Sequence, residues 1–386
     1  GPSASPPVPG DADADRPLRV GYLSGDLRHH PVGFFMQAVI PNHTAAVQPF
    51  AYHAHRASDA VTEAIAAGCH AFRRVAGTGA DALAATIQED GIDVLIDLAG
   101  HTAHNRLDVL ARRPAPVQAT WAGYPGTTGL DAVDCLLADA HHVPEGEEAH
   151  YTETVLRLPH VYAPWQPPEA APAVGPLPVE DNGFVTFAAF HNPAKLNPDV
   201  VALWARVLAA VPDSRLLMHA GGLDDPGVRR RLAAEFRKHG IDDRRLCLGG
   251  PLAHPDLLAA YNAADVALDS FPYSGGITTL EALWMGCPVV TVPGDTFAGR
   301  HAAAWLAAAG HPDLIASDAA AFTATAAALA RDPGGLAALR ATLREDVARG
   351  PALDHKRFIN DLEAILFDAW WTRRSRGRVG TSDTPG

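Results

Sequence analysis

Lysine is almost missing from this chain: it occurs only at positions 195, 238 and 356 of 386. Basic residues total 31 against 44 acidic ones, a formal charge of −13. That balance argues against a broad nucleic-acid surface and against an anionic membrane partner. The arginine and alanine richness is read as coding bias. Cysteine is scarce too. Cys69, Cys135, Cys247 and Cys287 lie far apart and form no CxxC, which argues against a disulfide framework or a cysteine-held zinc. Each is expected as a buried thiol, which suits a reducing compartment such as the cytoplasm. No apolar run reaches the roughly 18 residues of a membrane span. Histidine is plentiful at 19, yet no HExxH or comparable spacing occurs, so no metal is expected. The adjacent pairs His29-His30 and His141-His142 would point apart in a strand.

What is present is a core. Hydrophobic residues make up 47% of the chain, enough for two domains of ordinary size. The stretch Ala264 to Arg300 organises the rest. Val266 to Leu268 reads as an apolar strand ending on Asp269. A glycine-bearing turn follows at Tyr273-Ser274-Gly275-Gly276. Thr278 then opens a helical run to Met285, and Pro288 to Val292 reads as a second buried strand. Strand, glycine turn, helix start and strand is the form of a phosphate cradle. Glycines let the backbone approach a ligand, and the helix start offers unpaired N–H groups to an anion. Many doubly wound domains share this pattern.

Elsewhere strands and helices alternate, the signature of parallel sheets. Strands are expected at 18–23, 50–55, 92–98, within 116–129 and at 133–138, then at 184–190, 214–220 and 245–250. Helices are expected at 34–40, 80–89, 107–113, 200–211, 228–240, 298–309, 319–331 and 335–349. Residues 1–16 read as a disordered leader. Gly1-Pro2 looks like the remnant of a removed tag, so the natural chain is expected to extend upstream. The proline-rich segment 166–182 is expected to link an N-terminal Rossmann-like domain, 17–165, to a C-terminal one, 183–354. An aromatic-rich helix at 355–372 is expected to pack back across the molecule, ahead of a mobile tail at 373–386. The fold class is α/β, two Rossmann-like domains facing each other across a cleft, with ligands outside the carboxyl ends of the strands.

Five segments carry a resemblance: LRVGYLSGDLRHHPVG, IDLAGHTAHNR, RRPAPVQATWAGYPGTTG, FAAFHNPAKLNP and ALDSFPYSGGITTLEALWMGCPVVTVPGDTFAGR. Together, in this order, they resemble the catalytic region of O-GlcNAc transferases, whose relatives include the SPINDLY fucosyltransferases and bacterial protein glycosyltransferases. The likeness covers almost all of residues 17–372. It implies a GT-B fold, a nucleotide sugar bound in the C-terminal half, and inversion at the anomeric carbon without a metal. Members usually carry an upstream tetratricopeptide array, and none lies within these residues.

The resemblance assigns candidate roles beside plainer ones. Thr278 and Glu281 form a T-x-x-E, read alone as a helix capping box. In the similar enzymes an acidic residue at the Glu281 position binds the ribose hydroxyls. A carboxylate suits a vicinal diol because it accepts both protons. The preceding residues, Gly276, Ile277, Thr278 and Thr279, would meet the diphosphate, and both readings are compatible. Lys195, read alone a solvated surface residue, matches the lysine that neutralises the leaving diphosphate. Asn192 matches a neighbouring nucleotide contact. His30 matches a histidine proposed as base or acceptor-positioning residue, and a histidine's ordinary pKa of about 6.5 suits proton removal. A water relay or the phosphate itself stay open as bases, and His29 competes with His30. Asp26 reads as a turn closure. His101, Thr102 and Arg106 either line the acceptor side or satisfy their loop. Tyr124, Pro125 and Gly126 match a GYPGT turn expected beside sugar or acceptor.

Some positions depart from the pattern. Leu257 stands where the family carries a base-stacking histidine, and His254 where some relatives carry lysine. Glutamate at 281 also occurs in the SPINDLY branch, which uses a GDP-sugar. The expectation is an inverting, metal-independent glycosyltransferase, bacterial and cytoplasmic, with no cofactor. It would move GlcNAc or another hexose, from a UDP-linked donor ahead of GDP or dTDP, to a protein or peptide side chain. Alternatives are a small-molecule acceptor, a non-catalytic nucleotide-sugar-binding module and, more weakly, a sugar-nucleotide epimerase.

Overall fold

The computed structural model describes residues 16–379. The expected leader, 1–15, and the end of the expected tail, 380–386, lie outside the described residues. The described chain divides into two units, one of 16–166 with 351–379 and one of 167–350.

The first unit is a seven-stranded parallel sheet. Its strands are β1 (Leu18–Ser24), β2 (Val47–His53), β3 (Ala71–Arg74), β4 (Val94–Asp97), β5 (Val117–Thr120), β6 (Cys135–Asp139) and β7 (Thr154–Leu158). They lie in the order β3-β2-β1-β4-β5-β6-β7. The central strands β1, β4 and β5 are almost wholly buried, as a sheet covered on both faces demands. The sequence reading missed β3 and β7, which are short edge strands with exposed or half-buried side chains. It also missed the helix Ala60–Gly68, which Asp59 and Thr62 start with a reciprocal capping box. The paired histidines do not lie in strands. His30 caps a helix, and His142 is buried with Nδ1 2.8 Å from Asp139 Oδ1.

The second unit has five parallel strands: β8 (Thr186–Ala188), β9 (Arg215–His219), β10 (Leu246–Gly249), β11 (Val266–Leu268) and β12 (Val289–Val290). Their order is β10-β9-β8-β11-β12. Its core gathers Phe187, Trp204, Leu216, Phe236, Leu268 and Phe322. Proline at the first helical turn behind an Asn or Asp cap starts three of its helices, Pro198–Ala210 after Asn197, Pro226–Lys238 after Asp225 and Pro333–Arg349 after Asp332. Strand order reverses between β1 and β4 in the first sheet and between β8 and β11 in the second. Such reversals open a crevice at the carboxyl ends of the strands.

The segment expected as a linker is in large part built into the second unit. Leu177 is buried, Pro178–Asn182 is helical, and Asp265 accepts hydrogen bonds from Val179 N (2.9 Å) and Thr186 N (2.7 Å). Buried Arg340 donates to Gly175 O and Ala264 O, both at 2.9 Å. The last helix, His355–Val379, overruns its expected end, so residues 373–379 are not a loose tail. It packs on the first unit, where Phe358 stacks on Trp121 at 6.0 Å between ring centroids. Arg16, expected in the leader, pairs with Asp93 at 2.7 Å. Among the described residues no helix is long and apolar enough to cross a membrane. All four cysteines are free, Cys135 and Cys287 buried and Cys69 and Cys247 only partly so.

Glu363 anchors the last helix. Its carboxylate accepts Thr44 Oγ1 at 2.7 Å and Thr44 N at 2.9 Å, and lies 2.9 Å from His43 Nδ1. Burial raises its pKa, but these hydrogen bonds and the charge of His43 bring it below the ordinary value of 4.5. A depressed carboxylate stabilises the fold above its unfolded pKa and loses that contribution as pH falls through the folded one. Glu363→Ala is expected to destabilise the protein by about 2–3 kcal/mol at pH 7, with a smaller deficit below about pH 4. Denaturant titrations at the two pH values measure this, and an equal deficit at both would refute it.

Candidate active site

The loop after β8 reads His191-Asn192-Pro193-Ala194-Lys195-Leu196-Asn197. Three of its side chains donate to backbone carbonyls of the segment after β11. His191 Nε2 reaches Leu268 O at 2.9 Å, Asn197 Nδ2 reaches Phe271 O at 2.9 Å, and Lys195 Nζ reaches Ser274 O at 2.8 Å. His191 is buried and stacks on Trp204. Asn192 is exposed and caps the single 3-10 turn Pro193–Lys195, its Oδ1 accepting Ala194 N at 3.0 Å. The Lys195 ammonium also sits 4.0 Å from the centre of the Tyr273 ring. It is therefore no solvated surface lysine. Burial brings its pKa from 10.5 down to about 8, against the opposing pull of Asp269.

The glycine turn is fixed from below. Asp269 is buried, and its Oδ1 accepts Gly275 N at 2.7 Å while Oδ2 accepts Thr291 Oγ1 at 2.6 Å. A Cβ on Gly275 would lie 2.7 Å from Thr279 Oγ1 and 3.0 Å from Thr278 Oγ1, so a larger residue would have to displace the threonine hydroxyls. A Cβ on Gly276 would meet nothing within 4 Å, so the space there is open. Gly276 is the N-cap of the helix Ile277–Trp284, and no side chain caps that end. That helix start directly follows the turn whose Ser274 carbonyl holds the Lys195 ammonium. That is a site for an anion with several oxygens.

The expected capping box is not formed. Thr278 is already the second residue of the helix, and Glu281 turns away to place Oε1 2.6 Å from His254 Nε2. That hydrogen bond raises the His254 pKa above the ordinary histidine value, against the opposing effect of burial. Ile277 is buried and offers only its backbone, while Thr279 Oγ1 donates to Gly275 O at 3.0 Å. Lys195, Gly276, Ile277, Thr278 and Thr279 thus gather at one turn. His254 and Glu281 form a second group in the same unit. The exposed Asn192 bonds within its own turn, to Ala194 N.

In the first unit the candidate residues follow β1, β4 and β5. His30 caps the helix Pro31–Val39, its Nδ1 accepting Val32 N at 3.3 Å. Assigned from that bond, the neutral ring carries its proton on Nε2. Burial lowers the His30 pKa, with Asp26 Oδ2 at 3.9 Å from Nδ1 opposing and Arg28 reinforcing the shift. Asp26 does more than close a turn, since its Oδ1 also accepts Arg28 Nη2 at 3.1 Å. His29 packs its ring edge-on against Phe34 at 5.0 Å.

Asp97, at the end of β4, was not singled out by sequence. It is fully buried and accepts Gly100 N at 2.7 Å and Thr120 Oγ1 at 3.2 Å, and burial raises its pKa to about 6. Gly100 has φ +50° and lies against Tyr124, whose Cβ would be 2.3 Å from a Cβ placed there. His101 packs edge-on to the Tyr124 ring at 5.3 Å and places Nε2 2.8 Å from Thr128 O. Thr102 Oγ1 bonds Ala99 O at 2.7 Å and Arg106 Nη2 bonds Thr78 O at 3.0 Å, so both satisfy loop backbone. Pro125 and Gly126 are half-buried in a turn that Glu153 holds through Thr127 Oγ1 and Thr128 N, each at 2.7 Å.

Comparison with known proteins gives this arrangement a context. The family described as glycosyl transferase family 41 matches residues 9–163 and 177–362. A tomato (Solanum lycopersicum) protein named probable UDP-N-acetylglucosamine–peptide N-acetylglucosaminyltransferase SPINDLY is 36% identical over 372 residues. That match takes in 95% of this chain and 40% of the relative, so the chain spans well under half the length of such relatives. The solved structure of a mutant of the Thermobaculum terrenum O-GlcNAc transferase superposes with a TM-score of 0.90 at 40% identity. It covers 96% of this chain and 72% of that one. The lipopolysaccharide outer core galactosyltransferase WaaB shares the fold alone, with a TM-score of 0.58, 12% identity, and coverage of 91% of this chain and 99% of its own. The fold is thus of the GT-B class.

The depressed lysine can be measured directly. With Lys195 labelled for NMR in the ligand-free protein, the Nζ resonance is expected to titrate with a midpoint near 8. An ordinary lysine midpoint of about 10.4 would contradict the burial and contacts described for it.

Proposed function

The chain belongs to glycosyl transferase family 41, and on that footing we propose that it transfers a sugar from a nucleoside diphosphate to a protein or peptide side chain. The observation that carries this reading is the Lys195 ammonium held beside an uncapped, glycine-led helix start. A diphosphate leaving group needs positive potential where its charge grows, and a preorganised cation with backbone N–H groups supplies it. Lys195 takes that role, with the amides of Gly276, Ile277 and Thr278 and the Thr278 hydroxyl around the phosphates. Glu281 offers the ribose hydroxyls its oxygen not engaged by His254, and Asn192 lies along the nucleotide.

The acceptor oxygen attacks the anomeric carbon as the bond to the diphosphate breaks, and the nucleotide departs with the bonding electrons. The acceptor proton passes to the diphosphate or to water. His30 carries its neutral proton on Nε2 and so suits orienting a substrate oxygen rather than accepting a proton. His101, Tyr124, Pro125 and Gly126 shape the loops on the acceptor side. Thr102, bonded within its own loop, supports that loop. No metal is required in this scheme, since Lys195 supplies the cation. The relatives' names favour UDP-N-acetylglucosamine as donor and a peptide as acceptor. The free thiols suit a cytoplasmic setting. The proposed setting is bacterial, in keeping with the likeness to bacterial protein glycosyltransferases.

Lys195→Ala is expected to lower turnover of the preferred donor by roughly 10²–10³-fold while leaving the fold intact. Unchanged turnover would refute the assignment. Thermal-shift screening against UDP-, GDP- and dTDP-sugars identifies the nucleotide, since a ligand at about 100 times its Kd stabilises by roughly 2.7 kcal/mol. Turnover in excess EDTA should match that without it.

A further inference from the structure

Asp269 has no part in the scheme above, yet it is a buried carboxylate directly beneath the glycine turn. It directly follows β11, at the point where the strand order reverses. Both oxygens are in use: Oδ1 takes the N–H of Gly275 and Oδ2 the hydroxyl of Thr291 in the segment after β12. Its backbone carbonyl accepts Trp204 Nε1 at 2.9 Å, so the residue is fixed on three sides. A buried carboxylate without a bonded cation is costly unless a positive charge lies near. The charged and titratable groups that act on it are Lys195 and His191 from the loop after β8; the Tyr273 ring centre lies 4.0 Å from the Lys195 ammonium, and His301 lies 6.3 Å from the Tyr273 ring. His191 Nε2 is 3.9 Å from Asp269 Oδ1, but that nitrogen donates to Leu268 O, and burial keeps the ring neutral. Lys195 Nζ donates to Ser274 O while Asp269 Oδ1 accepts Gly275 N, so ammonium and carboxylate hold the two ends of one peptide group.

We propose that Asp269 is a positioning residue for the transfer: it sets the shape of the Gly275–Gly276 turn and supplies the negative charge against which Lys195 is held. It touches no substrate. This rests on the assignment of Lys195 to the diphosphate. Asp269 acts on both parts of the cradle together, since Gly275 N is bonded to it and the lysine charge is balanced by it. A donor diphosphate arriving at the turn then meets a cation already in place, with its partner screened below the backbone.

The test is Asp269→Asn in the full chain. Asparagine has the same shape, can still accept Gly275 N–H, and can donate to Thr291 Oγ1, so the change removes charge with little change of form. The ligand-free Lys195 midpoint is expected to fall by about one pH unit, and the high-pH limb of kcat/KM to move down with it. A midpoint and a pH profile like those of the parent would overturn the proposal. Should that variant fail to fold, Thr291→Val decides, because it frees one carboxylate oxygen and leaves the charge. A raised donor KM with an unmoved Lys195 midpoint supports the positioning role, and a parental KM overturns it. If the parent protein binds no nucleotide sugar, the functional reading fails by itself, whereas the Lys195 midpoint in Asp269→Asn still tests the coupling.

Discussion

Two loops on either side of one strand reversal are stitched together by three side-chain donors, and the cradle depends on that seam. His191, Lys195 and Asn197 reach the carbonyls of Leu268, Ser274 and Phe271. Leu268 ends β11, and the carbonyls of Phe271 and Ser274 lie in the irregular segment after it, where these side chains supply donors. The seam thus completes the backbone of the glycine turn and delivers a cation to it. In a chain with a net charge of −13 and three lysines, the positive potential at that turn is a local construction. It comes from one placed ammonium and one helix end, with the rest of the surface working against it.

The two sheets carry the same device at the same topological place. In each, the residue ending or following the strand beyond the reversal is a buried aspartate. It accepts a glycine N–H from the next loop at 2.7 Å and a threonine hydroxyl from the end of the neighbouring strand: Thr120, the register partner of Asp97 on β5, and Thr291, just past β12, for Asp269. The surroundings differ. Asp269 holds the turn that Lys195 also reaches, whereas burial raises the Asp97 pKa to about 6. One architecture thereby sets a turn held by a lysine in one unit and a loop anchored on an aspartate of raised pKa in the other.

Much of this was legible in the sequence, for physical reasons that can be traced. The apolar runs at β1, β4 and β11 exist because central parallel strands are covered on both faces, which gives a strong signal. Glycine at 275 and 276 and the lysine in HNPAK were readable because few residue types serve there. The family likeness rested on such loops, and the profile match over 177–362 includes them all in the second unit. Three features were not legible. Thr278 and Glu281 have capping-box spacing, but which residue caps a helix depends on where the chain enters it, and Gly276 does so here. The His254–Glu281 pair spans 27 positions and is made by folding alone. The proline-rich segment looks like a tether by composition, yet Leu177, Asp265 and Arg340 fasten much of it to the second core.

The path of the chain has a consequence for its birth. The second unit is one uninterrupted stretch, 167–350, while the first is assembled from 16–166 and 351–379. At the usual elongation rate, the interval between the end of β7 and the emergence of the final helix is on the order of 10–40 s. Throughout it, Trp121 lacks its stacking partner Phe358, and His43 and Thr44 lack the carboxylate of Glu363. The half that begins first on the ribosome is therefore finished last, and a growing chain carries an uncapped apolar sheet face while the later half has already closed.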